Sequence, residues 1–217
     1  MSDLTVFFSV DVETTSTDPH IGRLLTVGIQ PVWWDPSRSG SVRAWLDNDN
    51  FYMRLDQRDH YPEWFQTLTD RDSTLSWWLK QNDHAQAEAF RDTTLARYDE
   101  YTTVKEIAMF VERVAGNLPA RNRVFAANPV TFDRAWIDAL WTNVRYSHDA
   151  SDIPKMPFHY RSLCLRSMRF GQNALAGWDT PGRTYESEVP HHALSDALAQ
   201  AQDLRDLLQE SLNAPNV

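Results

Sequence analysis

A single α/β domain, built on a mixed five-stranded sheet flanked by helices, is the fold this sequence predicts. Three patterns predict it. Strand-like apolar runs fill residues 5–55, helical stripes dominate the rest of the chain, and one short apolar run, Val124–Ala127, stands between two of those helices. With 217 residues the chain has room for one domain with a real core and too little for two full ones. Residues 1–212 are assigned to that domain and 213–217 to a C-terminal tail.

Residues 5–13 read as the first strand and Leu24–Ile29 as the second, with a turn-prone Ser16–Pro19 between them. Val42–Trp45 and Phe51–Leu55 come next as short strands divided by Asp47–Asn50, which completes an antiparallel meander. Asp72 or Ser73 caps a helix carrying Leu75, Trp77, Trp78 and Leu79. Thr103–Leu118 places Ile107, Phe110, Val111 and Val114 at helical spacing, with Gly116 as its stop. After Val124–Ala127, a helix starting near Thr131 carries Trp136, Ile137, Leu140 and Trp141 along one stripe. The last helix, from about His192 to Leu212, aligns Leu194, Ala197, Leu198, Ala201, Leu204 and Leu207 or Leu208. Residues 171–190, rich in Gly, Pro, Thr and Ser, read as a loop just before His191, either one of the long loops that carry function or a plain connection.

Hydrophobic residues make up 42% and charged residues 24%, the balance of a water-soluble globular protein. No apolar run approaches the roughly 20 residues of a membrane span, and no basic leader precedes the first strand. The single cysteine, Cys164, excludes an internal disulfide and fits a reducing cytoplasm, the expected location. A net charge of −9 argues against a binder of long nucleic-acid tracts. It permits an acidic metalloenzyme that holds a strand end, because bound cations invert the local field.

Asp11-Val12-Glu13-Thr14 closes the first strand. Alternation puts Asp11 and Glu13 on one face and Val12 on the other. Hydrolysis of a phosphodiester requires an activated water, offset charge at phosphorus and a stabilised leaving oxygen. Two divalent ions about 4 Å apart meet all three needs. Hard ions such as Mg²⁺ or Mn²⁺ prefer carboxylates from several elements, and Asp11, Glu13, Asp133 and Asp196 are the candidates. A histidine of near-neutral pKa suits proton removal from the water. On a continuous helix His192 shares a face with Asp196, whereas a helix beginning after Pro190 sets His191 at the loop–helix junction. Spacing leaves both open. Singly, each motif has a plain structural use, as a solvated strand end or a favourable charge against a helix dipole. Their joint order carries the information.

In that order, Asp11-Val12-Glu13-Thr14, Asn128 to Phe132-Asp133, and His191 to Asp196 resemble the motifs of DEDDh-type 3′–5′ exonucleases of the ribonuclease H-like superfamily. The resemblance implies a ribonuclease H-like sheet, metal ligation by Asp11, Glu13, Asp133 and Asp196, and His191 as general base. It also implies that Thr14 meets the terminal nucleotide and that Asn128 and Phe132 shape the same region. The run Ser73–Gln81, with Thr74, Trp77-Trp78 and Gln81, is similar to the branch holding ribonuclease AS and exonuclease VIII-like enzymes. That branch leads one to expect an Asp near the start of residues 160–163, where this chain has Tyr160, and a shorter stretch around Trp178–Glu188. Adjacent on a helix, Trp77 and Trp78 diverge by about 100°, so one packs inward and the other meets nucleotide or a second copy; Trp77 is assigned to the substrate.

The expected activity is release of nucleoside 5′-monophosphates from single-stranded 3′ ends, on RNA because the similar branch acts on RNA tails. The alternatives are a 3′–5′ exodeoxyribonuclease of replication, repair or defence, and a catalytically silent end-binding module. The last is disfavoured because all four acids and the base are present. A homodimer is expected from similar exonucleases.

Overall fold

The central strand β1 (Thr5–Thr14) pairs antiparallel with β2 (Leu24–Trp34) along its length and parallel with β5 (Arg123–Ala127), as described by a computed structural model. The described residues are 4–38, 42–56, 73–91, 96–175 and 185–211. Beyond β5 lies the parallel edge strand β6 (Ser162–Cys164). On the opposite edge, β3 (Ala44–Leu46) pairs with residues 32–34 of β2, and β4 (Phe51–Arg54) pairs with residues 26–29.

The sheet therefore has six strands rather than five, although it is five strands wide, in the order β3-β2-β1-β5-β6 with β4 also on β2. The four strands expected of the meander are present, but the fourth does not turn back on the third: β3 and β4 both run antiparallel to β2, end to end along it. Asp47–Asn50 leaves the ladder opposite Gln30 and Pro31, as extra residues in one strand of a pair must. The break is held by polar contacts: the Asp47 amide donates to the Pro31 carbonyl (3.1 Å) and Gln30 Nε2 to the Asp47 carbonyl (2.9 Å).

Helices α1 (Ser73–Trp78) and α2 (Asp83–Gln86), the latter running on into a π turn at Ala87–Arg91, precede α3 (Glu100–Ala115). Asp99 caps α3 by accepting from the Thr102 amide at 2.6 Å, so the helix starts three residues before the predicted Thr103. Then come α4 (Val130–Ser147), α5 (Leu165–Leu175) and α6 (Ala193–Ser211). β6 and α5 have no counterpart in the sequence reading. Three residues are too few to display a period, and α5 absorbs residues 171–175 of the predicted loop. Asp72, residues 176–184 (with Trp178) and 213–217 lie outside the described residues.

Alternation along β1 divides the core. Val6, Phe8, Val10 and Val12 are buried with Ile107, Phe110 and Val111 of α3 and with Trp136, Ile137, Leu140 and Trp141 of α4. On the other face, Phe7 is buried with Val32, Ala126, Leu165, Ala201, Leu204 and Leu208. The buried stripe of α6 is smaller than predicted. Ala193, Ala197, Ala201 and Leu204 are fully buried, while Leu194 and Leu198 are only half-buried. Small side chains let this helix approach the sheet closely, and one residue of β2 lets it approach closer still. A Cβ on Gly28 would stand 2.3 Å from the Ala193 carbonyl oxygen.

Candidate active site

Gly28 is the register partner of Asp11 across β1 and β2. Because nothing projects from Gly28, the first residues of α6 rest directly on the strand beside the acids of β1. Within its first turn the helix then delivers Asp196. Ligand atoms of Glu13, His191 and Asp196 all lie within 4.8 Å of one another. One turn further along, Gln200 Nε2 donates to Asp11 Oδ1 at 2.7 Å.

Asp133 arrives on α4, the helix covering the opposite face of β1. It sits in the first turn, only 3% exposed, with its Oδ1 accepting from the Val12 amide at 3.1 Å. Val12 thus faces the core with its side chain and steers an acid with its backbone. Asp11, Glu13, Thr14, Trp77, Asn128, Phe132, Asp133, His191 and Asp196 all line one cavity of about 300 Å³, together with Thr74 and Trp78. Every residue assigned to the site in the sequence analysis lines this cavity except His192, the alternative candidate base.

The electrostatics fit a cation. Burial pushes the Asp11 carboxyl well above the usual range, and Asp133, Glu13 and Asp196 push it further. Glu13 is likewise raised, first by burial and then by Asp196 and Asp133. Burial raises Asp133 to about 7 even though the Val12 amide favours its charged form. The side-chain oxygen of Asn128 is buried without a hydrogen-bond partner among the described residues. Clustered, desolvated carboxylates with an orphaned amide oxygen are the donor set of a hard divalent ion.

The structure separates the two histidines. His192 is committed to the scaffold: its Nδ1 accepts from the Ser195 amide (3.3 Å), capping α6, and its Nε2 lies 3.1 Å from Glu88. Accepting on Nδ1 leaves the proton on Nε2, so the Glu88 contact is a donated hydrogen bond. Its ring stacks on Tyr52 at 4.4 Å, and Glu88 is also held by Arg54 and the Tyr52 hydroxyl. His191 takes the left-handed backbone conformation (φ 64°), uncommon for a residue with a side chain, and donates its amide to Asp196 Oδ2 at 3.0 Å. Its ring meets Trp77 edge-on at 4.5 Å inside the cavity.

Trp78 is the inward member of the tryptophan pair, 1% exposed with its indole donating to the Thr14 carbonyl at 2.8 Å. Trp77, 39% exposed, stands at the cavity mouth. The Thr14 hydroxyl donates to the Ser16 carbonyl, which fixes the turn leaving β1. Sequence reasoning did not find Gly28, Gln200, Glu88 or Tyr52. Gln200 was within reach, since it lies one turn beyond Asp196 on the same face. Glu88 and Tyr52 meet His192 only through tertiary folding.

This strand order, with helices on both faces of a mixed sheet, is that of a ribonuclease H-like fold. The sequence matches the model of the 3′–5′ exoribonuclease Rv2179c-like domain over residues 6–208, and the chain belongs to that family of 3′–5′ exonucleases. No curated protein matches it. Among solved structures it is similar to the nuclease domain of 3′hExo, a DEDDh family member, bound to rAMP (TM-score 0.53, 14% identity, 96% of this chain and 93% of that one). It is also similar to exonuclease I from Methylocaldum szegediense (TM-score 0.55, 15% identity, 95% of this chain and 40% of that one). E. coli exonuclease I with a dA16 oligonucleotide is a third likeness (TM-score 0.54, 14% identity, 95% and 41%). The chain thus spans nearly all of the 3′hExo domain and about two-fifths of the exonuclease I chains. At these identities the likeness is one of fold.

Proposed function

We propose that this chain is a metal-dependent 3′–5′ exoribonuclease that removes nucleoside 5′-monophosphates one at a time from single-stranded 3′ ends. The observation that carries the reading is the meeting of Asp11, Glu13, Asp133, Asp196 and His191 around one cavity. Asp11, Glu13, Asp133 and Asp196 would hold two Mg²⁺ or Mn²⁺ ions, which when bound offset charge at phosphorus and acidify the attacking water. His191 takes that water's proton on a ring nitrogen, its backbone held by Asp196 and its ring by Trp77. Thr14, Asn128, Phe132 and Trp77 position the terminal nucleotide, with the Thr14 carbonyl fixed by Trp78. The family description supports RNA as substrate. A single domain over 1–212, a cytoplasmic location and a homodimer belong to the same reading, and among the described residues no helix is long and apolar enough to cross a membrane.

The test is a time course on sequence-matched 3′-labelled RNA and DNA oligomers, with Mg²⁺, with Mn²⁺ and with EDTA. Labelled 5′-monophosphates from RNA first, lost in EDTA, are the expected outcome. Faster release from DNA overturns the choice of RNA, and unimpaired turnover in EDTA overturns the metal mechanism.

A further inference from the structure

The acidity of the chain is not uniform. Between Asp152 and Asp179 there is no acid and there are four cations, Lys155, Arg161, Arg166 and Arg169, in a protein of net charge −9. Arg169 is neutralised by the buried Asp203, but Arg161 and Arg166 are exposed. Two large aromatics stand out beside them, Tyr160 at 75% exposure and Phe170 at 59%. Tyr160 is held by its chain neighbours: its ring lies 4.2 Å from that of His159, tilted rather than stacked, and the Arg161 guanidinium carbon is 5.7 Å from its centre.

The sheet register joins this surface to the cavity. Cys164 pairs with Ala127, the residue before Asn128, so the start of α5, with Arg166 in its first turn, lies at the cavity's end of the sheet. The loop before β6 is fixed to the helix turn that carries Asp133. Arg134 donates to the His159 carbonyl (3.2 Å) and the Ser162 hydroxyl (3.3 Å), with Asp138 occupying its remaining face at 2.9 Å. From Arg166, both α5 (toward Phe170) and β6 (back toward Arg161 and Tyr160) lead away from the cavity along one edge.

We infer that the β6 edge and the outer face of α5 bind the single-stranded segment on the 5′ side of the terminal nucleotide. Arg166 and Arg161 meet its phosphates, while Tyr160 and Phe170 stack on its bases. Exposed aromatics alternating with arginines hold unpaired strands without reading sequence, because every base has a π face and every linkage a charge. The track is short, which agrees with the acidity of the rest of the surface. It rests on the exonuclease reading for its orientation and not for its existence.

The test compares wild type with the triple variant Tyr160→Ala/Arg161→Ala/Arg166→Ala on a single-stranded RNA 20-mer and on a dinucleotide with the same 3′ end. For the 20-mer, kcat/KM is expected to fall about tenfold through KM, while for the dinucleotide it stays within about twofold, since stacking and phosphate contacts are lost only where chain is present. Anisotropy of the 5′-labelled 20-mer in EDTA should show the matching loss of affinity. Its salt dependence should be shallower by roughly 1.4 in the log–log slope for two arginines on a single strand. Tyr160→Phe keeps the stacking ring and should bind as wild type does. Equal losses on both lengths, or none on the 20-mer, overturn the track. If the protein hydrolyses neither RNA nor DNA, the exonuclease reading fails, and unchanged anisotropy between wild type and variant then overturns the track on its own. Arg166→Gln alone, with a smaller loss in the same direction, guards against misfolding of the triple variant.

Discussion

On one face of β1, Val6, Phe8, Val10 and Val12 are buried among aromatic and aliphatic side chains of α3 and α4. On the other face, the same strand runs from Phe7 through the buried Ser9 to Asp11 and Glu13. The first face stabilises the fold regardless of pH, because its benefit comes from apolar area removed from water and it carries no titrating group. The second becomes less favourable toward the strand's end, where burial and mutual repulsion raise its carboxyls. One strand therefore carries the folding energy on one side and a site awaiting cations on the other, separated only by side-chain alternation.

Matched substitutions give the sharpest break of that comparison. Asp11→Asn keeps an oxygen to accept from Gln200 and should leave the fold intact while abolishing turnover of a labelled 3′ end in excess Mg²⁺. Phe8→Ala should do the reverse, costing about 3–5 kcal/mol of stability by urea denaturation while leaving activity in the folded fraction. If the Asn variant turned over at a near-normal rate, the division of labour proposed for β1 would be wrong.

A second contrast lies between the neighbouring histidines. His191→Ala should lower kcat by about 10²- to 10⁴-fold with little change in melting temperature. His192→Ala removes the α6 cap and the contact with Glu88, so it should lower the melting temperature and reduce kcat less. Equal kinetic losses from both would remove the distinction.

Glu88→Gln should come next in size, with a loss of about tenfold or less in kcat, since it weakens a charge-assisted support one residue from the base. An unchanged kcat at unchanged stability would show that the Glu88 pair does not govern His191.

The smallest effect concerns pH. Asp133 has a folded pKa of about 7, above its ordinary value of 3.8, so the native state binds this proton more tightly than the unfolded state does. Stability from this group is present at low pH and declines as pH rises from about 4 to about 7. The metal-free melting temperature should thus be several degrees lower at pH 8 than at pH 5, and Mg²⁺ should restore part of it at pH 8. Asp133→Asn, studied by calorimetry, should make the trend shallower, with Asp11 and Glu13, which are also raised, supplying the remainder; a trend as steep as in wild type would assign the effect to those groups alone.

Much of the molecule was legible because the governing property is local. The strand pleat alone puts Asp11 and Glu13 on one face and Val12 on the other, and helical period alone places Trp136, Ile137, Leu140 and Trp141 inside. The stripe of α3 is equally local, whereas its Asp99 cap was missed and the helix read three residues short. The features that escaped were set by distant partners. β6 is a strand because Phe125, Ala126 and Ala127 are there to pair with it. The break at Asp47–Asn50 was read, but that both short strands lie on β2 is decided by the partners β2 offers them. Gly28 matters because α6 lands on it.

The choice between His191 and His192 shows the boundary most clearly. Sequence by itself determined that a histidine stands beside Asp196, because chain spacing bounds how far apart the two side chains can be. Only the tertiary structure decided which one faces the acids. That depended on Tyr52 and Glu88, brought from β4 and the π turn to claim the ring of His192, and on a left-handed turn at His191 that sequence spacing does not reveal. Periodicity is a property of the backbone and can be read from the chain, whereas the partner of a polar side chain is chosen among all groups that folding brings within reach.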